Sequence, residues 1–201
     1  MSAADSIEAQ VREGRSLAGQ TLAHLDLRGR SLAGADLRGA KLLRVLLDGA
    51  DLSRADLSGA RVAACSLAGA RLAGASLTQA SFTLTNLAGA DLTGARLGRC
   101  NLASQRLEGA DLSGADLGAA ILLLANLTGA KLVGARLVDT RLDQAVLAGA
   151  DLSRAEILRA TMSQANLSRA CSRARASSRR CSSAPTSPRP ISSAPWSTPR
   201  C

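Results

Sequence analysis

The chain has 201 residues and is 46% hydrophobic, enough for a core, yet one Phe, one Trp and no Tyr leave it without the aromatics an ordinary globular core draws on. No apolar run approaches the length of a membrane span, and residues 1–14 lack the apolar core of a secretory signal, so the expectation is a cytoplasmic protein. The net charge of +9 divides unevenly: residues 171–201 hold six Arg and no acid, whereas residues 1–170 hold 19 Lys+Arg against 16 Asp+Glu.

Residues 1–14 read as an N-terminal cap. Ile7 and Val11 lie one helical turn apart, which suits a short helix over residues 3–13. From residue 15 a single pattern takes over. Leu recurs every five residues from Leu17 to Leu167, 31 positions without an insertion, interrupted only by the apolar Val62, Phe82, Ile157 and Met162. Two residues before each Leu, 25 of 31 positions are Ala, Cys or Thr; the exceptions are Arg15, Gln20, Leu25, Arg30, Val45 and Gln105. The unit reads Ala-(Asp/Asn/Ser/Arg)-Leu-X-Gly/X, as in Ala50-Asp51-Leu52-Ser53-Arg54.

A period of five excludes the simple elements. On an α-helix successive Leu would spiral around the axis, and on a flat strand an odd period would send them to alternate faces. Every Leu points inward only if the chain turns a corner once per repeat. Ala and Leu, two apart, then share the inner face of a short extended segment. The corner falls near the Gly-rich fifth position, where Gly accepts unusual dihedrals.

These Ala-(Asp/Asn)-Leu-X-X units resemble the pentapeptide-repeat proteins. The resemblance covers residues 15–170 and implies an all-β fold, a right-handed four-sided parallel β-helix with four repeats per coil. The central Leu or Phe and the small residue two before it would fill the interior. The 31 repeats then give about 7.75 coils and a rod roughly 37 Å long. Such an interior leaves no room for a ligand or cofactor. The resemblance also implies a candidate partner. Some members resemble B-DNA in shape and charge, bind DNA gyrase and protect it from quinolones. In others the C-terminal end carries a dimer contact.

With four repeats per coil, residues twenty apart stack on one face. The residue before each Leu points outward, and two such columns mix signs: Asp36, Asp56, Ser76, Arg96, Asp116, Arg136, Glu156, and Ser31, Asp51, Arg71, Asp91, Asp111, Lys131, Asp151. A third is basic, with Lys41, Arg61 and Arg141, and a fourth, from Asp26 to Asn166, is mostly neutral. Ile121, Leu123 and Leu124 are outward apolar residues of a single repeat, and Leu84 lies two coils away in the column of Leu124. These four are the candidate partner contact.

The residues of catalysis are missing. His24, the lone histidine, sits at a variable corner position; Cys65 and Cys100 sit at the small inward position, as slightly larger Ala. Five Cys at unrelated spacings suggest neither a disulfide framework nor a zinc site, and the Gly residues follow the five-residue corner rather than a phosphate loop. The expectation is a non-enzymatic interaction or scaffold rod for a protein partner, with no catalytic residue, metal or cofactor. A gyrase-directed DNA mimic is a second reading. Charge opposes it, because eight of the 31 pre-Leu positions are Arg or Lys and eight are Asp, where a duplex mimic needs acidic faces. Direct nucleic-acid binding through the basic face and tail is a third, and it lacks stacking aromatics.

Residues 171–201 turn to Ser, Arg and Pro, the composition of a disordered tail. The period of five nevertheless continues. Ser172, Ser177, Ser182, Ser187, Ser192 and Ser197 hold the register of Leu, and Arg175, Arg180, Pro185, Pro190 and Pro195 hold that of Ala. A CTC codon for Leu read one base late begins TC and encodes Ser; GCC or GCG for Ala then begins CC or CG and encodes Pro or Arg. The tail reads as a frameshifted continuation of the array. Translating the adjoining frame from codon 170 onward should restore Ala-Asp-Leu repeats, and their absence there would end the idea.

Overall fold

A computed structural model describes residues 3–172; the tail beyond them, with its frameshift reading, lies outside the described residues. One helix, α1 (Ala3–Arg12), precedes a parallel β-solenoid of about seven turns. Backbone pairing has a shift of twenty residues throughout: Asp36 bridges Asp56, Asp56 bridges Ser76, and Ser76 bridges Arg96. Four repeats therefore close one coil, and the outward columns anticipated from residues twenty apart are the columns that form. Most faces meet through single bridges. Longer strands appear on one face as β1 (Thr21–Ala23), β2 (Lys41–Leu43), β3 (Arg61–Ala63) and β4 (Ser81–Thr83), and on another as β5 (Arg136–Val138) and β6 (Glu156–Leu158).

One repeat shows why this composition builds this coil. Asp56 N–H donates to Ala35 O of the preceding coil at 2.9 Å, while Leu57 and Gly59 N–H donate to Ser76 O and Thr78 O of the next at 2.7 and 2.9 Å. Ser58 N–H is satisfied locally by Asp56 Oδ1 at 2.9 Å. Ala60 N–H closes the corner on Leu57 O at 2.9 Å. All five amides have acceptors, as a dense backbone requires. Asp or Asn before Leu is thus an internal cap, a role repeated by Asp51, Asp91, Asn101 and Asp151. Its donors hold the Asp51 carboxyl below the usual carboxylate range, chiefly through Ser53. The fifth residue adopts φ between 52° and 70° in every repeat from residue 14 to residue 169.

The interior is a stack of Leu and Ala. Leu52, Leu72, Leu112 and Leu132 are completely inaccessible, as are Ala90, Ala110 and Ala130. At the N-terminal end the exceptions to the small inward position meet the cap. Arg30 pairs with Asp5 and Glu8 of α1 at 2.9 Å each, and Ile7 is buried against the first coil. Burial loosens in the last coil, where Ile157, Met162 and Leu167 are only partly covered. Cys65 and Cys100 are free and buried.

Corners after β1 to β4 are built differently. There the amide three residues past the inward residue no longer bonds back, and the small inward position holds Leu25, Val45, Cys65 and Thr85, all bulkier than Ala. Bulk alone does not open a corner, since Cys100 and Gln105 N–H still bond back to Leu97 O and Leu102 O at 3.0 and 3.2 Å; the opened corners are those that follow the paired strands. Two of the released amides find side chains: Val45 N–H reaches Cys65 Sγ at 3.3 Å and Thr85 N–H reaches Gln105 Oε1 at 2.7 Å. Gln105 in turn donates to Ala103 O at 2.6 Å. Its presence among alanines is explained, since it ends the opened stretch by satisfying the last orphan amide. Gln105→Leu keeps the bulk and removes the acceptor. It should cost about 1–3 kcal/mol in a denaturant titration, and a neutral result would refute this role.

Candidate functional site

Residues at positive φ fall on four edges of the rod, and the edges differ. One edge carries Gly29, Gly49, Gly69, Gly89, Gly109, Gly129 and Gly149. The edge that follows β1 to β4 carries His24, Arg44, Ala64, Leu84, Ser104, Leu124, Gln144 and Gln164, without one glycine, at φ 52–59°. A left-handed residue with a Cβ costs roughly 1–2 kcal/mol. This edge therefore bears that strain in every coil, whereas each of the other edges relieves it with glycine at some positions, the one through Gln79, Arg99, Ala119, Asp139 and Arg159 only at Gly19, Gly39 and Gly59.

The same edge collects the exposed apolar side chains. Leu84 is 82% and Leu124 57% exposed; Leu43 (42%) and Leu46 (39%) flank the corner on its two sides. Among the described residues these are all the large exposed hydrophobics. Two coils separate Leu84 from Leu124, about 9.6 Å at ordinary strand spacing. Of the four residues anticipated as a contact, Leu84 and Leu124 lie on the edge in the open, while Ile121 and Leu123 beside them are half-buried. Leu43 and Leu46 escaped the sequence reading. Laying the fifth positions out twenty apart finds the glycine-free column, and Leu43 and Leu46 lie on either side of its Arg44.

Charge along the edge is graded. The outward column beside it runs Thr21, Lys41, Arg61, Ser81, Asn101, Ile121, Arg141, Thr161, and this column contains no carboxylate. On other faces some cations are laddered to acids, Arg136 to Asp116 at 3.0 Å and to Glu156 at 3.8 Å, Lys131 to Asp111 at 3.6 Å, Arg159 to Asp139 at 2.6 Å, while among the described residues Arg54, Arg71, Arg96 and Arg99 make no ion pair. Among the described residues Lys41, Arg44 and Arg61 make no ion pair. Lys41 and Arg61 stand directly opposite each other in the β2–β3 register, a like-charge pairing that opposes the sheet. Towards the other end sits Asp143, its carboxyl held below the usual range by hydrogen bonds from Thr161 Oγ1 at 2.6 Å and Ser163 N–H at 2.9 Å.

The reactive groups are not assembled for chemistry. His24 borders an open groove of about 640 Å³ with Asp26, Arg28 and Arg30. There Arg28 is bound to Asp26 at 2.6 Å, which lowers the Asp26 carboxyl to about 2. Burial pushes the Cys100 thiol up to about 12 and raises that of Cys65, so neither offers a thiolate at neutral pH. No group of His, Cys, Asp and Glu among the described residues has the arrangement of a metal site. Among them, no helix is long and apolar enough to cross a membrane.

Comparison with known proteins supplies the family. A profile of pentapeptide repeats matches in eight copies over residues 31–62, 65–103, 106–144 and 132–169. No curated protein matches the chain in sequence. Among solved structures it is similar to trypsin-treated QnrB1, described as a plasmid-mediated fluoroquinolone resistance protein. The identity is 25%, with 75% of this chain and 72% of that one covered, at a TM-score of 0.51. It is also similar to a pentapeptide repeat protein of the Arabidopsis thaliana thylakoid lumen, at 29% identity over 54% of this chain and 66% of that one, TM-score 0.40. HetL of the cyanobacterium Nostoc, a protein of heterocyst differentiation regulation, is 29% identical over 82% of this chain and 94% of that one, TM-score 0.29. The uninterrupted five-residue register, the twenty-residue coil and the matched profile together establish that this chain belongs to the pentapeptide-repeat family.

Proposed function

We propose that the chain is a non-catalytic protein-interaction rod whose contact surface is the glycine-free edge, with Leu84, Ile121, Leu123 and Leu124 joined by Leu43 and Leu46. One observation carries the reading: the large exposed apolar side chains of the described residues share the single edge that never relieves its backbone with glycine. Neither feature helps the coil to close, and strained backbone under exposed apolar groups is typical of surfaces kept for contact. A photo-crosslinking amino acid at position 84 should give discrete protein adducts in cells. The same group at Thr93, on another face, should not. Equal labelling from both positions would sink the proposal.

A second reading is favoured by the similarity to QnrB1, whose description concerns fluoroquinolone resistance. Transferred to this chain, it makes gyrase the partner. The balanced outward charge speaks against a duplex mimic, with eight cationic and eight Asp residues at the pre-Leu positions. Purified protein should leave gyrase supercoiling unchanged at micromolar concentration; potent inhibition would reverse the order of the two readings.

A further inference from the structure

From the same edge we infer the chemistry of the partner: a protein segment that presents apolar side chains together with carboxylates. The inference rests on the interaction reading above and adds what would occupy the surface. Leu43, Leu46 and Leu84 offer apolar contact around the corner of β2 to β4. Lys41, Arg44 and Arg61 lie beside them, and the column from Thr21 to Thr161 that holds Lys41 and Arg61 has no acid; the nearest acids, Asp26 and Asp48, lie on the far side of the corner, next to Leu46. Lys131, Arg136 and Arg159 on other faces are each met by a carboxylate one coil away. Lys41, Arg44 and Arg61 make no such pair, and Lys41 is stacked on Arg61 in register. A partner's carboxylates would relieve that repulsion, while its apolar side chains would cover the leucines. Both gains occur only in the complex. Phosphate-rich nucleic acid would satisfy the cations but leave the leucines uncovered, and the edge offers bases only the imidazole of His24 to stack on.

Selection of a displayed random-peptide library on the intact protein tests this. Enriched peptides should combine Asp or Glu with Leu, Ile or Phe, and their binding should weaken as salt rises. Leu84→Gly should reduce their affinity about tenfold or more, as loss of a central apolar anchor does. The combined variant Lys41→Glu, Arg44→Glu, Arg61→Glu should reduce it at least as much. Circular dichroism verifies that both variants remain folded. Peptides that are basic, or whose binding survives both variants, would overturn the edge assignment. If such peptides instead lose binding when Arg71 or Arg96 on other faces is reversed, the interaction reading stands and only this surface falls. Absence of any enriched peptide would remove both, as would binding only to phosphatidylserine vesicles or duplex DNA.

Discussion

Leu92→Ala is expected to destabilise the rod by about 2–5 kcal/mol. Leu92 is 1% exposed at mid-array, and its N–H bonds to Asp111 O of the next coil at 2.7 Å. The backbone on either side is pinned to neighbouring coils, so the cavity has little room to collapse. Asp91 is the control. It is half-buried, and its Oδ1 accepts Thr93 N–H at 3.0 Å. Asp91→Ala removes that cap and should cost only about 1 kcal/mol. Comparable losses at the two positions in a denaturant titration would contradict the division into inward and outward residues.

Ala110→Asp is expected to be at least as damaging, about 3–5 kcal/mol at neutral pH. Ala110 is wholly inaccessible, and Ala90 and Ala130, twenty residues to either side, are equally buried. No cation or water-facing path is available to a carboxylate there. Burial disfavours the charged form, so the folded-state pKa of the new carboxyl lies above its unfolded value. The penalty should therefore grow as pH rises past the ordinary carboxylate range and shrink in acid. A loss that is small and flat with pH would mean that the small inward column is not the sealed interior described above.

Much of this architecture was legible because an odd period without insertions admits so few geometries. Once Leu17 to Leu167 must all face inward, a corner per repeat follows, and the columns through Asp36 or Ser31 follow from the coil. The local devices were harder to read. Gln105 looks like an irregularity until the corner at Thr85 is seen to have lost its internal hydrogen bond. Arg30 occupies a small inward position because the acids that receive it, Asp5 and Glu8, come from α1, over twenty residues earlier. For the candidate site, Leu84 and Leu124 stood out as apolar residues in outward register. Leu46 lies in the outward column from Asp26 to Asn166, but like Leu43 it stands next to a buried leucine, Leu47 or Leu42, and hydropathy alone does not separate the members of each pair. The absence of glycine from His24 to Gln164 is a property of a column, invisible along the chain and plain only across coils.

The central claim is that the edge leucines serve contact rather than the coil, and thermal denaturation of Leu84→Gly combined with Leu124→Gly tests it most directly. Glycine accepts the left-handed backbone that both positions require, and its own entropic penalty only partly offsets the relief. The net gain of about 1–2 kcal/mol predicts a Tm higher by roughly 2–8 °C for a chain of this size. A Tm that falls would contradict the account, because it would show that the two leucines pack for the fold.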